Sequence, residues 1–237
     1  MIDLPLVIGH RGAAGIAPEN TLAGFRAAAA AGAGWVEFDV RLTADGVPVV
    51  IHDADLARVA GVPARISRLT LNRLCAIPVA GAPVPTLADS LDCCTALRLG
   101  ANVELKYCGM RSRALVRAAA AVLGEYEGRL PLLVSSFRPA MLAGMRRHAP
   151  AIPRGLLLGG RPRRDWRRLA ARLGCISLHP AAESLNASAV ATFAAAGLPL
   201  VAYTVNDPAR AAALFALGVA AVITDRPDRM AGIVGRR

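Results

Sequence analysis

The feature that most constrains this chain is an alternation. Short β-rich runs are separated by alanine-rich helical stretches, and the pattern repeats eight times along 237 residues. Runs at 6–10, 35–40, 101–106, 131–136, 154–158, 174–178, 199–204 and 219–224 read as strands. Stretches at 20–32, 86–98, 111–125, 138–148, 162–173, 186–196, 207–217 and 226–235 read as helices. Asn20, Thr86, Asn186 and Asp207 stand where helix caps are needed. A strand followed each time by a helix implies parallel pairing, because parallel neighbours need a crossover connection. The count favours an α/β chain closed as a (β/α)8 TIM barrel. An open doubly wound sheet is the competing arrangement, but Gly12, Gly15 and Gly24 do not form its GxGxxG loop. No linker or change of composition divides residues 1–237, so one barrel domain is expected.

One run breaks the rhythm. Residues 47–52 (VPVVIH) follow Asp45-Gly46, a two-residue turn signal, and read as the return arm of a β-hairpin extending from the second strand. With Asp45 and Gly46 at the turn centre, Ala44 faces Val47 and Asp39 faces His52. Glu37 then lies two residues along the same face, so spacing alone predicts an imidazole beside two carboxylates.

Three short patterns carry chemistry. Glu37-Phe38-Asp39 points two carboxylates to one side of a strand, where they repel unless a proton or cation intervenes. The pair either binds a divalent metal, which oxygen ligands make Mg²⁺, Ca²⁺ or Mn²⁺, or faces water and arginines at a strand end. Glu104-Leu105-Lys106 repeats the spacing at the end of the next barrel strand. It reads either as a third metal carboxylate with a cation for phosphate, or as a self-neutralising pair. His10 and His52 end apolar strands on the rim where barrel active sites lie, and imidazoles suit a general acid and base pair. Arg11 can grip a phosphate through its planar fork or bridge to a rim carboxylate. His179 follows a strand and is a candidate substrate contact at the rim, and Asn20 is expected to cap the first helix, with a role at the rim as the alternative.

Charge narrows the partners. The net charge is +11, and of 28 basic residues only Lys106 is a lysine. Such a surplus favours an anionic substrate or surface. A competing binding-module reading rests on RPRRDWRR at 161–168, but no nucleic-acid motif accompanies it, so no nucleic acid is expected. The five cysteines, Cys75, Cys93, Cys94, Cys108 and Cys175, form no CxxC pair and are expected to be buried, reduced thiols. No secretory start and no membrane-length apolar run is visible, so a cytoplasmic chain without stable membrane insertion is expected.

Residues 10–53, HRGAAGIAPENTLAGFRAAAAAGAGWVEFDVRLTADGVPVVIHD, resemble the signature of the glycerophosphodiester phosphodiesterase family. That signature runs HRG, PENT, ExD, then HD after a DG hairpin. VELK at 103–106, SSF at 135–137, YTVN at 203–206 and ITDRP at 223–227 resemble later family segments, in the same order. The resemblance implies a barrel that hydrolyses small-molecule glycerophosphodiesters to an alcohol and glycerol 3-phosphate with a divalent metal ion, Mg²⁺ or Ca²⁺, with Mn²⁺ a further option. It implies catalytic His10 and His52, metal ligands Glu37, Asp39 and Glu104, and phosphate contacts Arg11 and Lys106. The working assignment makes His10 the base and His52 the acid. Tyr203 stands where many members carry tryptophan, and DADLARVAG after His52 lacks the family's threonine-rich run. Both departures bear on the alcohol preferred, with Tyr203 a candidate contact. A relative cleaving lysophospholipids is the nearest alternative enzyme, and it would need an apolar platform at the rim; no amphipathic lid is evident in the sequence.

Overall fold

A computed structural model of the chain describes residues 4–160, 164–230 and 232. Its strands are β1 (Val7–His10), β2 (Trp35–Leu42), β3 (Pro48–Val50), β4 (Asp55–Leu56), β5 (Val62–Arg65), β6 (Gly100–Leu105), β7 (Leu132–Ser136), β8 (Arg154–Leu158), β9 (Cys175–Pro180), β10 (Val201–Ala202) and β11 (Ala221–Thr224). Its α-helices are α1 (Leu22–Ala30), α2 (Ala57–Ala60), α3 (Leu71–Cys75), α4 (Leu87–Ala96), α5 (Ser112–Glu125), α6 (Pro139–His148), α7 (Trp166–Leu173), α8 (Ala187–Ala194) and α9 (Pro208–Ala216).

Eight of the strands pair in parallel in the order β10-β11-β1-β2-β6-β7-β8-β9. Bridges from Leu178 to Leu200 and from Ala181 to Tyr203 bring β9 and β10 together, closing a (β/α)8 TIM barrel. Because each strand is buried on both faces, its sequence is a near-continuous apolar run. The outer faces pack under the helices: Val36, Phe38, Val103, Leu105 and Val134 meet residues such as Leu115, Ala119 and Leu123 of α5. The inner faces divide by height. Ile8, Trp35, Leu133, Val201, Ala221 and Ile223 plug the lower half. Gly100 makes room for this plug, since a Cβ there would fall 2.3 Å from the Trp35 ring. Above the plug the interior turns polar.

Seven of the eight predicted helices are present among the described residues, generally a residue or two shorter at the ends. Thr86 caps α4 in a reciprocal box with Asp89, and Asn186 and Asp207 cap α8 and α9. The cap of α1 is Thr21, not Asn20. The last predicted helix, 226–235, is represented by a 3₁₀ turn at Pro227–Met230, and residues 231 and 233–235 lie outside the described residues. Residues 162 and 163 of the predicted fifth helix lie outside them too, as do Arg161 and Arg163 of the basic run. All five cysteines are unpaired, but only Cys94 and Cys175 are buried and Cys75 is exposed, against the expectation of burial throughout.

The hairpin forms with a register one residue from that expected. Val40 pairs with Val50, Arg41 with Val49 and Leu42 with Pro48, so Asp39 lies opposite Ile51 rather than His52. The loop holds three residues, because the Thr43 N–H donates to Val47 O (3.0 Å) and the Gly46 N–H to Thr43 O (3.2 Å). Gly46 adopts φ +88°, the left-handed position that closes such a loop. Thr43 Oγ1 and Asp45 Oδ1, 2.6 Å apart, hold it from within.

The segment after β3, for which the sequence suggested no elements, is a small structured cap. A two-stranded β4–β5 sheet, α2 and α3 gather around Val49, Ile51, Leu56, Ile66, Leu74, Val79 and Val84. It stands beside the C-terminal ends of β1 and β2.

Candidate active site

The polar upper half of the barrel is built by strand register. His10 stands beside Glu37, Glu37 beside Asn102, and Asp39 beside Glu104. Carboxylate oxygens of Glu37, Asp39 and Glu104 lie within 4.8 Å of one another, and all three residues are buried. Burial, reinforced by the neighbouring Asp39 charge, pushes the Glu37 carboxyl up to about 8. The same two causes raise Glu104. Burial would raise Asp39 as well, but Lys106, Arg11 and His52 together hold it below the usual carboxylate range. An all-oxygen set this close, with two members pushed toward protonation, is the environment a hard divalent cation relieves, so these three residues fit a metal ion.

Lys106 spans two of them. Its Nζ lies 2.8 Å from Asp39 Oδ1 and 2.7 Å from Glu104 Oε1. Burial works to lower the ammonium, yet the two carboxylates outweigh it and raise it further. Arg11, at φ +50°, donates its backbone N–H to Glu37 Oε2 (3.1 Å) and places its side-chain Nε 3.4 Å from Asp39 Oδ2. Two cations therefore reach one carboxylate from opposite sides.

The imidazoles flank this cluster, each tied through Nδ1 to a carboxylate. His10 Nδ1 lies 2.6 Å from Asp225 Oδ1, and its Nε2 lies 3.9 Å from Glu37 Oε2. Burial lowers the ring's basicity, but Asp225 and Glu37 overcome it and hold His10 above its ordinary value. His52 leaves the hairpin past β3, where Arg41 Nε donates to its carbonyl (2.7 Å) and Nδ1 meets Asp53 Oδ1 at 2.7 Å. There, burial prevails over the pull of Asp39 and Asp53, and His52 falls below its ordinary value. In both rings Nε2 remains for proton exchange. His52 thus reaches the cluster by leaving the strand, not by facing Asp39 across it.

Several participants were missed or only partly read in the sequence. Asn20, at φ +56°, donates from Nδ2 to Asp39 Oδ2 (2.8 Å) and accepts the Asp39 N–H at Oδ1 (3.1 Å). The capping Thr21 frees it to do so, and the PEN triplet was its only signal. Asp225, in ITDRP, orients His10 and is itself held by Asn206 Nδ2 at 2.7 Å. Arg58 of the cap joins the two sides of the mouth. It donates from Nε to Asp53 Oδ2 (2.6 Å) and from Nη1 and Nη2 to Glu19 Oε2 and Oε1 (2.9 and 2.6 Å), while Glu19 also receives Arg11 Nη1 (3.0 Å).

The two remaining candidates differ. The Tyr203 ring lines a cavity with His10, Glu37 and Glu104, and its hydroxyl donates to Leu158 O (2.9 Å). His179 lies inside the barrel, fully buried, with Nε2 2.9 Å from Ser177 Oγ, not on the rim as expected. Burial alone drives it down to about 3, so it is neutral.

The comparisons with known proteins agree with this geometry. Residues 10–229 match the model of the glycerophosphoryl diester phosphodiesterase family. A glycerophosphodiester phosphodiesterase of Caldanaerobacter subterraneus is 30% identical over 242 residues, covering 97% of each chain. A phosphodiesterase of Oleispira antarctica, solved in complex with its product sn-glycerol-3-phosphate, superposes with a TM-score of 0.93 at 32% identity, covering 98% of this chain and 97% of its own. A glycerophosphodiester phosphodiesterase of Thermotoga maritima superposes at 0.80 with 28% identity, over 98% of this chain and 99% of its own. Three clustered carboxylates, two carboxylate-tethered imidazoles and the matched sequence thus converge, and the chain belongs to the glycerophosphoryl diester phosphodiesterase family.

Proposed function

We propose that this chain hydrolyses glycerophosphodiesters to an alcohol and sn-glycerol 3-phosphate, with a divalent cation held by Glu37, Asp39 and Glu104. The carrying observation is the meeting of those three buried carboxylates with two imidazoles whose Nδ1 atoms are already committed. The product complex of the Oleispira antarctica relative supports the same substrate class. When bound, the cation supplies Lewis-acid stabilisation of phosphoryl charge. Mg²⁺, Ca²⁺ and Mn²⁺ suit its oxygen ligands.

Arg11 and Lys106 neutralise phosphate oxygens as charge grows in the transition state. Either displaces part of its present pairing with Asp39 to do so. One imidazole takes a proton at Nε2 from the nucleophile. The other gives a proton from Nε2 to the departing alkoxide, so one proton enters and one leaves at each turnover. Two nucleophiles fit this scheme, water and the substrate's own neighbouring glycerol hydroxyl. Tyr203 walls the pocket beside Glu104 and contacts substrate; His179 supports the interior behind it. The single barrel domain carries the whole reaction, in the cytoplasm.

The test is a screen of soluble glycerophosphodiesters, reading released glycerol 3-phosphate. Chelation should abolish turnover, and added Mg²⁺, Ca²⁺ or Mn²⁺ should restore it. Full activity after exhaustive chelation rejects the cation, and no release from any diester rejects the activity.

A further inference from the structure

Large apolar side chains exposed on the described surface are few: Ile16, Tyr107, Met110, Phe137 and Leu217. All but Leu217 stand on loops that follow barrel strands, at the mouth that holds the carboxylate cluster. Scattered exposed apolar residues need no explanation, but concentration on one face does. Tyr107 and Met110 follow β6, and Phe137 follows β7, the adjacent strand.

Met110 is fully exposed, at 101%. Its loop is nevertheless pinned. Arg111 donates to Ser67 O of the cap (3.2 Å) and to Ala44 O of the hairpin (3.0 Å). Arg41 reaches Tyr107 O at 3.3 Å, and Ser112 Oγ receives the Cys108 N–H at 3.1 Å. The thioether is therefore presented to solvent by a fastened loop. Beside it, the Arg138 guanidinium lies 4.6 Å from the Tyr107 ring centre, and Phe137 meets Tyr203 edge-on at 5.8 Å.

Charge completes the surface. Residues 56–88, 105–124 and 128–160 contain no aspartate or glutamate, and they supply the cap edge and both of these loops. Arg65, Arg68, Arg113 and Arg138 are exposed there. Apolar groups beside arginines, on segments that themselves carry no carboxylate, are the composition that rests on an anionic bilayer: arginines meet lipid phosphates while methionine and aromatic rings enter the interface. A polyanion such as RNA would use the arginines but would gain nothing from Met110.

We propose that the β6 and β7 loops and the adjoining cap edge dock the catalytic mouth onto an anionic lipid surface, through Met110, Tyr107 and Phe137 with Arg68, Arg113 and Arg138 around them. The chain would rest on the bilayer without spanning it, which agrees with the lack of a long apolar helix among the described residues. This surface lies outside the proposed chemistry and stands whether or not that reading does.

Vesicle sedimentation of the full chain tests it, with phosphatidylcholine alone against phosphatidylcholine mixed with phosphatidylglycerol. The intact chain should sediment with the mixed vesicles and not the neutral ones, and added salt should weaken it. Met110→Ser and Arg68→Glu should each weaken binding, the first by about tenfold. Both variants should hydrolyse soluble glycerophosphodiesters like the parent, so a fault in hydrolysis shows separately. Three results would overturn the proposal: no sedimentation with anionic vesicles, equal sedimentation with neutral ones, or binding indifferent to Met110→Ser. The last would leave simple polyanion adsorption, with RNA competing fully.

Discussion

The two imidazoles beside the carboxylate cluster are held by different parts of the molecule. His10 ends a barrel strand, and its anchor Asp225 is 215 residues away, just beyond β11. His52 stands past a hairpin arm, and its anchor Asp53 is the next residue, itself tied by Arg58 of the cap. One device, a carboxylate at Nδ1, is thus reached once by barrel closure and once by local chain. The surroundings then push the rings in opposite directions, His10 up and His52 down. The comparison teaches that the barrel and the smaller cap each tether one of the two imidazoles beside the carboxylates, and that Arg58 joins the two sides.

The strongest way to break that comparison is to remove each ring. His10→Ala and His52→Ala should each lose roughly 10²–10⁴-fold in turnover of glycerophosphodiesters while circular dichroism stays unchanged. Normal turnover in either variant removes that ring from the reaction. Alkyl diesters should suffer more than activated aryl diesters in the variant lacking the acid, because only the alkoxide needs a proton to leave.

A smaller effect sharpens it. Asp225 raises His10, so Asp225→Asn should let the His10 proton leave at lower pH. The limb of the pH–rate profile that reports His10 then moves toward acid. Asp53→Asn removes one of the groups holding His52 up, and should move the other limb the same way. Which limb moves in which variant assigns acid and base directly: the acidic limb belongs to the base and the alkaline limb to the acid. The pair of variants thus tests the assignment drawn from sequence, His10 as base and His52 as acid. If both variants moved the same limb, the division of labour between the two rings would fall.

The least drastic change tests the join between barrel and cap. Arg58→Ala should cost less than about 1 kcal/mol of stability, because its ion pairs are exposed. It should nevertheless lower kcat/KM several-fold, by loosening Asp53 behind His52 and Glu19 behind Arg11 together. Arg58→Lys should recover little, since an ammonium cannot make the forked contact to Glu19. Unchanged kinetics in Arg58→Ala would mean that the two halves align without this bridge.

Much of the site was legible along the chain because strands alternate strictly. The i, i+2 spacings Glu37/Asp39 and Glu104/Lys106 fix common faces, and the barrel prediction puts both at one rim. His10 and Lys106 lie where that reasoning put them. The reading of Asp39 against His52 failed by one residue, because a turn with Gly46 at its last position closes over three residues as readily as over two. Asn20 was read first as a cap, with a rim role as the alternative, because asparagine before a helix usually is a cap; only the backbone shows that Thr21 takes that place. The structured cap at 53–86 gave no sequence signal: its strands are too short for periodicity, and its apolar cluster forms between segments, not within any one.

The sequence by itself determined the alternation of elements, the parallel barrel they imply and the residue types available at its mouth. These follow from local rules of periodicity, capping and crossover. Only the tertiary structure decided which carboxylate tethers His10, how the cap aligns His52 and which apolar side chains stay exposed around the mouth. Those outcomes depend on where distant strands end relative to one another, and that offset is set by packing of the whole closed sheet.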